Sequence, residues 1–258
     1  MSALFLSFPS WLLFILFVGG SIAVTTLGVL LLRRRKMKLM SNESIGFIFA
    51  TVSVVYAVLL GFLVIYVWEA FGAADHAVSQ EAAAIVVTAR YSASFPEPIR
   101  GIMHDRLRHY TELVINDEWP MMQQTGGDHF GSVEGSQDLQ AMFNVIQQKL
   151  PQTAVTANAL NSLSTLSQDR LFRLQSATSI PDYFWLVLLA GGMVVVYLGM
   201  ILEIENARLH LVLTGLLVSI IAMSLWLIAI INNPFAGDLQ VSTDSLQYAL
   251  HVLSLLPR

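Results

Sequence analysis

The side chains with the chemical means to do work are few and scattered. Asp117 and Glu118 are adjacent and are followed by Trp119 and Pro120. Neighbouring residues in a helix project about 100° apart, so the two carboxylates are expected to diverge and not to face each other as a general acid and base. His104 and His109 are five positions apart, where one helical face needs three or four, and His129 lies farther on. None of these histidines has zinc-ligand spacing. The chain has no cysteine, which excludes thiolate metal sites, disulfides and a cysteine nucleophile. A Ser/His/Asp set, a phosphate loop and a dinucleotide glycine pattern are all lacking. The expectation is a protein that is not an enzyme and that carries no metal or cofactor. Glu203 and Glu205, beside Asn206 and Arg208, read as a local cap or ion pair in preference to an ion site.

The elements that position these residues are dominated by lipid. Of 258 residues, 55% are hydrophobic and 12% are charged, roughly half the charged share of a soluble domain. The net charge of −4 gives no nucleic-acid footprint. Residues 9–32, 45–67, 183–202 and 209–231 form four apolar runs without Asp, Glu, Lys or Arg. Each is long enough to cross a hydrocarbon core of about 30 Å. Arg33, Arg34, Arg35, Lys36 and Lys38 crowd the loop after the first run, and Arg208 sits between the third and fourth. By the positive-inside rule, the loop at 33–44 and the turn near 203–208 are cytoplasmic. Both termini and the segment between spans two and three then lie outside. A cleaved signal peptide carries its positive charges before the apolar run; here they follow it, so the first run is expected to be a retained helix.

The expected fold class is all-α: a four-span helical membrane protein with an extracytoplasmic helical bundle inserted between spans 2 and 3. Its domains are spans 1 and 2 at 1–70, the bundle at 71–182, spans 3 and 4 at 183–232, and an extracytoplasmic tail at 233–258. Residues 70–93 are alanine-rich and free of proline, which predicts that span two runs on into the bundle. Phe95-Pro96-Glu97-Pro98 breaks that helix. An amphipathic stripe from Ile99 to Val114 predicts a second bundle helix, ended by Trp119-Pro120. Gly126, Gly127, Gly131 and Gly135 predict a loop of about 15 residues. A stripe from Leu139 to Leu150 follows, then a weaker one from Leu160 to Leu174. The insert holds 12 acidic and 7 basic side chains over 71–182, which reads as a solvated, mildly acidic surface. In the tail, Leu246, Ala249, Leu250, Leu253 and Leu256 predict a last amphipathic helix, lying on the membrane or against the bundle.

Span two has the most ordered pattern within the membrane. Gly46, Ala50, Ser53, Ala57 and Gly61 occupy one narrow strip of the helix. Small side chains in a strip admit another helix closely, or line a pore if the strip faces a symmetry axis; the sequence is compatible with both. Gly215, Ser219, Ala222 and Ala229, with Trp226, repeat the strip in span four. Trp68 fits the aromatic belt at the outer interface. Glu69, next to it, is either solvated or part of an acidic ring at a pore mouth.

Several of these pieces together resemble a bacterial membrane family known as bestrophin-like. The resemblance is carried by Gly46-Phe47-Ile48-Phe49-Ala50-Thr51, by Tyr56 to Phe62, by Trp68-Glu69 and by Gln80-Glu81-Ala82. Tyr110 ahead of Asp117-Glu118-Trp119-Pro120, and Pro234-Phe235-Ala236-Gly237, complete it. It implies residence in a bacterial cytoplasmic (inner) membrane and kinship with pentameric anion channels whose second spans surround the pore. Two functions are therefore expected to compete. One is a homo-oligomeric channel for inorganic ions, lined by span two within the lipid bilayer. The other is a non-transporting sensor or scaffold whose outer bundle binds a ligand or partner.

Overall fold

The computed structural model describes residues 10–35, 42–125, 131–176 and 180–256. Lys36, Lys38, Gly126, Gly127, His129 and Arg258 lie outside the described residues. Among the described residues all regular structure is helical. Helix α1 is Ser10–Arg35, α2 Asn42–Ser92, α3 Ile99–Leu113, α4 Trp119–Thr125, α5 Val133–Lys149, α6 Ala154–Gln175, α7 Asp182–Ile201, α8 Ala207–Ile231 and α9 Asp244–Leu255, with a π-helical turn over Val114–Glu118. Four of them, α1, α2, α7 and α8, are long and apolar enough to cross a membrane. The chain divides into an apolar unit, Met1–Glu69 with Ser179–Asn232, and a polar unit, Ala70–Thr178 with Asn233–Arg258.

In the apolar unit α1 lies along α8 and also touches α7, which in turn packs on α8. Phe14 of α1 meets Trp226 of α8 edge to face at 4.9 Å, so the span-four strip serves this contact. Helix α2 engages α7 through Phe49, which lies against Gly199, and above all through Tyr56. Tyr56 fits against Gly191 and Gly192, where an added Cβ would come within 2.8 Å of the ring or its hydroxyl oxygen. Its hydroxyl donates to the Leu188 carbonyl at 2.9 Å, satisfying the polar end of a buried phenol. At the other end of these helices, Asn42 accepts from the Glu203 amide and donates to its carbonyl, both at 2.8 Å. Asn206 caps α8 by accepting from the Arg208 and Leu209 amides.

In the polar unit α2 runs to Ser92, and the Phe95–Pro98 segment ends it as its prolines predict. Trp119-Pro120 does not end the next helix. The chain passes through the π turn and continues as α4, with the Trp119 amide bonded back to the Val114 carbonyl. Pro120 then falls in the first turn of α4, a position at which helices tolerate proline. The expected long glycine loop is shorter as well. Thr125 is still helical and α5 begins at Val133, so Gly135 is a helical residue and the connection is 126–132. Ser132 caps α5 and Thr153 caps α6 through a capping box with Thr156. Val78, Ile85, Met103, Leu107, Met142 and Leu163 are fully or almost fully buried in the common core. The tail helix α9 closes that core by packing on α3, burying Leu246, Ala249 and Leu253.

Candidate functional site

The core of the polar unit contains charge. Arg173 of α6, fully buried, clasps Glu81 of α2 with Nε to Oε2 at 2.5 Å and Nη2 to Oε1 at 3.2 Å. The same Nη2 reaches Glu118 Oε2 at 2.6 Å, and Nη1 faces the Met122 sulfur at 3.0 Å. Arg170, one turn earlier on α6, donates from Nη2 to Glu118 Oε1 at 2.6 Å and to the Ser132 carbonyl at 2.9 Å. Tyr110 of α3 donates its hydroxyl to Glu81 Oε1 at 2.5 Å. Glu118 Oε1 also accepts from the Ser132 amide and hydroxyl at 2.9 and 2.8 Å. Its charge therefore sits at the N-terminus of α5, where a helix favours an anion.

Local structure explains how these groups converge. The π turn inserts a residue into the helical register, directing Glu118 inward while its neighbour Asp117 stays exposed. Trp119 then lies edge to face on Phe235 at 5.3 Å and 90°, a contact worth about 0.5–1.5 kcal/mol beyond its area. Gly131 has φ +74°, and an added Cβ there would lie 2.8 Å from Arg170 Nη2. Gly135 is open on its Arg170 side for the same reason, with Nη2 3.1 Å from where a Cβ would stand. The two glycines let the backbone approach the guanidinium.

The electrostatics act on Glu118, Tyr110 and Arg173. Burial alone would raise the Glu118 carboxyl, but Arg173 and Arg170 outweigh it and hold it at about 2. Burial and Glu81 together push the Tyr110 phenol well above its ordinary range. Burial opposes the charge on Arg173, yet Glu81 and Glu118 raise its pKa further. Glu118 is thus held ionised and Tyr110 held neutral, as in an ionic clasp and unlike a proton relay.

A second, more open ionic group joins α3 to α5. Buried Asp138 accepts from Arg106 Nη1 at 2.7 Å and pairs with His109 Nδ1 at 2.5 Å. The hydrogen bond and charge of Asp138 raise the pKa of exposed His109. Its contribution to stability is accordingly full below the ordinary value of 6.5 and is lost as pH rises through the higher folded value. An NMR titration should place the His109 midpoint above 6.5, and Asp138→Asn should return it to the ordinary range.

A family model described as the bestrophin-like domain matches residues 15–246. The chain belongs to the bestrophin-like family. A solved structure, described as the crystal structure of a membrane protein, is similar, with a TM-score of 0.70 and 13% identity, over 94% of this chain and 98% of that one. At that identity the likeness is one of fold. No curated protein matches the chain.

In this bestrophin-like chain the motif residues divide into those the fold gathers and those it does not. Glu81, Tyr110 and Glu118 meet in the ionic clasp, and Trp119 and Phe235 meet beside it. Pro234 and Gly237 shape the turn before α9; Val241 donates back to the Pro234 carbonyl at 2.7 Å, and Gly237 has φ +90°. Asp117 is exposed and Pro120 partly so, and neither joins the clasp. Trp68 and Glu69 are exposed at the end of the first segment of the apolar unit. Along the span-two strip, Ala50, Ala57 and Gly61 are exposed, while Gly46 and Ser53 are partly covered. His104 is a core residue bonded to the Leu253 carbonyl at 2.9 Å.

Arg170 and Arg173 are the functional-site residues that motif reasoning misses. They continue the sequence of buried positions Ala159, Leu163 and Leu166 at spacings of four and three. Cations at the core positions of an amphipathic helix are the signal that could have found them, because buried arginine is almost always paired.

Proposed function

We propose that this bestrophin-like membrane protein is a subunit of a homo-oligomeric ion channel for anions, lined by the small-residue strip of α2. The observation that carries this reading is the exposure of that strip within a single copy. Helices α1, α7 and α8 pack on one another. The packed side of α2 holds Ile45, Tyr56, Leu60 and Val67. Ala57 and Gly61 each follow a residue of that side, so the strip lies about 100° around the helix. An added Cβ at Gly61 would meet nothing within 4 Å. Ser53 lies at the covered edge of the strip, its hydroxyl buried without a partner. Ala50, Ala57 and Gly61, small residues that their own chain leaves exposed, suit copies of α2 arranged around an axis. In this reading spans one to four cross a bacterial cytoplasmic membrane. Arg33, Arg34 and Arg208 face the cytoplasm, and the polar unit and both termini lie outside.

The absence of native cysteine makes the test clean. Single cysteines at Ala50, Ala57 and Gly61 in the reconstituted protein should react with water-soluble thiol reagents and lose conductance on labelling. Cysteine at Leu60 should do neither. A protein that is monomeric in detergent and passes no ions in bilayers would sink the proposal.

A further inference from the structure

The polar unit has a trough between α2 and α6, separate from the ionic clasp. Its volume is about 430 Å³, within the range of roughly 300–1,000 Å³ found for small-molecule sites. One wall is apolar, formed by Ala83, Val87 and Tyr91 of α2, with Gln80 at its end. The facing wall is polar, formed by Asn158, Asn161 and Thr165 of α6. Ala84, Ser162 and Asp169 are buried and make its floor.

Asp169 is what makes the trough a site. Only 6% of the residue is exposed, and its Oδ2 is buried without a hydrogen-bond partner. Buried carboxylate oxygens are normally satisfied, so an orphan calls for an explanation. The neighbouring cations are committed elsewhere: Arg173 to Glu81 and Glu118, and Arg170 to Glu118. Both guanidinium groups thus serve Glu81 and Glu118, and Asp169 has neither as an ion-pair partner. Burial and Glu81 push its carboxyl up, against a smaller pull from His76. Among the described residues no group of three His, Asp or Glu stands ready to hold a metal ion there. A lone carboxylate beneath an apolar wall fits a monovalent N–H donor with an apolar body.

We propose that this trough binds a small organic ammonium ion. Its nitrogen donates to the Asp169 carboxylate, its carbon body lies along Val87 and Tyr91, and its polar substituents meet the Asn158 and Asn161 amides. The inference is independent of conduction through α2.

The test is isothermal titration of the full-length protein in detergent with phenethylammonium, using 2-phenylethanol as a neutral probe of the same shape. Saturable binding of the ammonium alone is expected. Asp169→Asn should weaken it about tenfold or more, as loss of a charged hydrogen bond does, while leaving the melting temperature equal or higher. Ala83→Trp, which fills the trough from its rim and keeps Asp169, should also abolish binding. Equal binding of the alcohol, undiminished binding to Asp169→Asn, or no saturable binding of the ammonium would each overturn the proposal.

Discussion

Arg173→Met is expected to cost the polar unit about 3–5 kcal/mol, the usual penalty for breaking a buried ion pair by removing one partner. Methionine nearly fills the space, so the loss is electrostatic and not a cavity effect. Glu81 loses both of its guanidinium bonds and Glu118 loses one. Set against a domain stability of roughly 5–15 kcal/mol, this is a large fraction. Hydrogen exchange on the intact protein should show it as deprotection of α2 beyond residue 70, α3 and α6. The double variant Arg173→Met, Glu81→Met should recover most of the loss, because the orphaned carboxylate leaves with its partner and Glu118 keeps Arg170. If the double variant is worse than the single one, packing around Arg173 and not charge pairing holds the unit. Acid gives an independent arm. The folded Glu118 carboxyl sits at about 2 against an ordinary 4.5, so its contribution is complete above the unfolded value. It disappears as pH falls from about 4.5 to about 2.

Gly192→Leu is expected to separate α2 from α7. A Cβ at this position would stand 2.8 Å from the Tyr56 hydroxyl oxygen and 3.5 Å from Ile221 Cγ2. The larger leucine side chain can be accommodated only if Tyr56 leaves, and its bond to the Leu188 carbonyl is then lost. Overpacking costs about 1–3 kcal/mol, and an unmet buried polar group adds about 1–3 more. Thermal unfolding in detergent should fall by several degrees or more. Tyr56→Ala combined with Gly192→Leu should restore part of that loss by refilling the vacated space. Additive damage in the double variant would mean that the two residues do not share a contact.

Long apolar runs make the four candidate membrane helices legible, since few soluble structures tolerate about 20 such residues in succession. The alanine-rich, proline-free stretch after Trp68 likewise announces that α2 continues. Pro120 misleads because a proline by itself reads as a terminator. The π turn before it supplies a fresh helix start, a device with no composition of its own. Gly131 and Gly135 look like loop residues chosen for flexibility, whereas they serve Arg170 by lacking a side chain. Glu81 and Tyr110 stand out by resemblance alone, and Glu118 otherwise only as the neighbour of Asp117. Their meeting point cannot be foreseen without Arg170 and Arg173, which look like ordinary surface charges until their spacing is set against Leu163 and Leu166. Asp169, adjacent to Arg170, is hidden in the same way.

The ionic clasp also bears on how the protein is made. Its members are far apart in sequence: Arg173 lies 92 residues after Glu81 and 55 after Glu118. During synthesis both carboxylates emerge well before either arginine. Until α6 arrives, burying them would leave two charges in an apolar interior without counter-ions. The nascent polar unit is thereby kept hydrated, with α2 to α5 unable to settle on a premature core. The clasp waits for residues 170–173, made just before α7, and the core closes only when α9 follows.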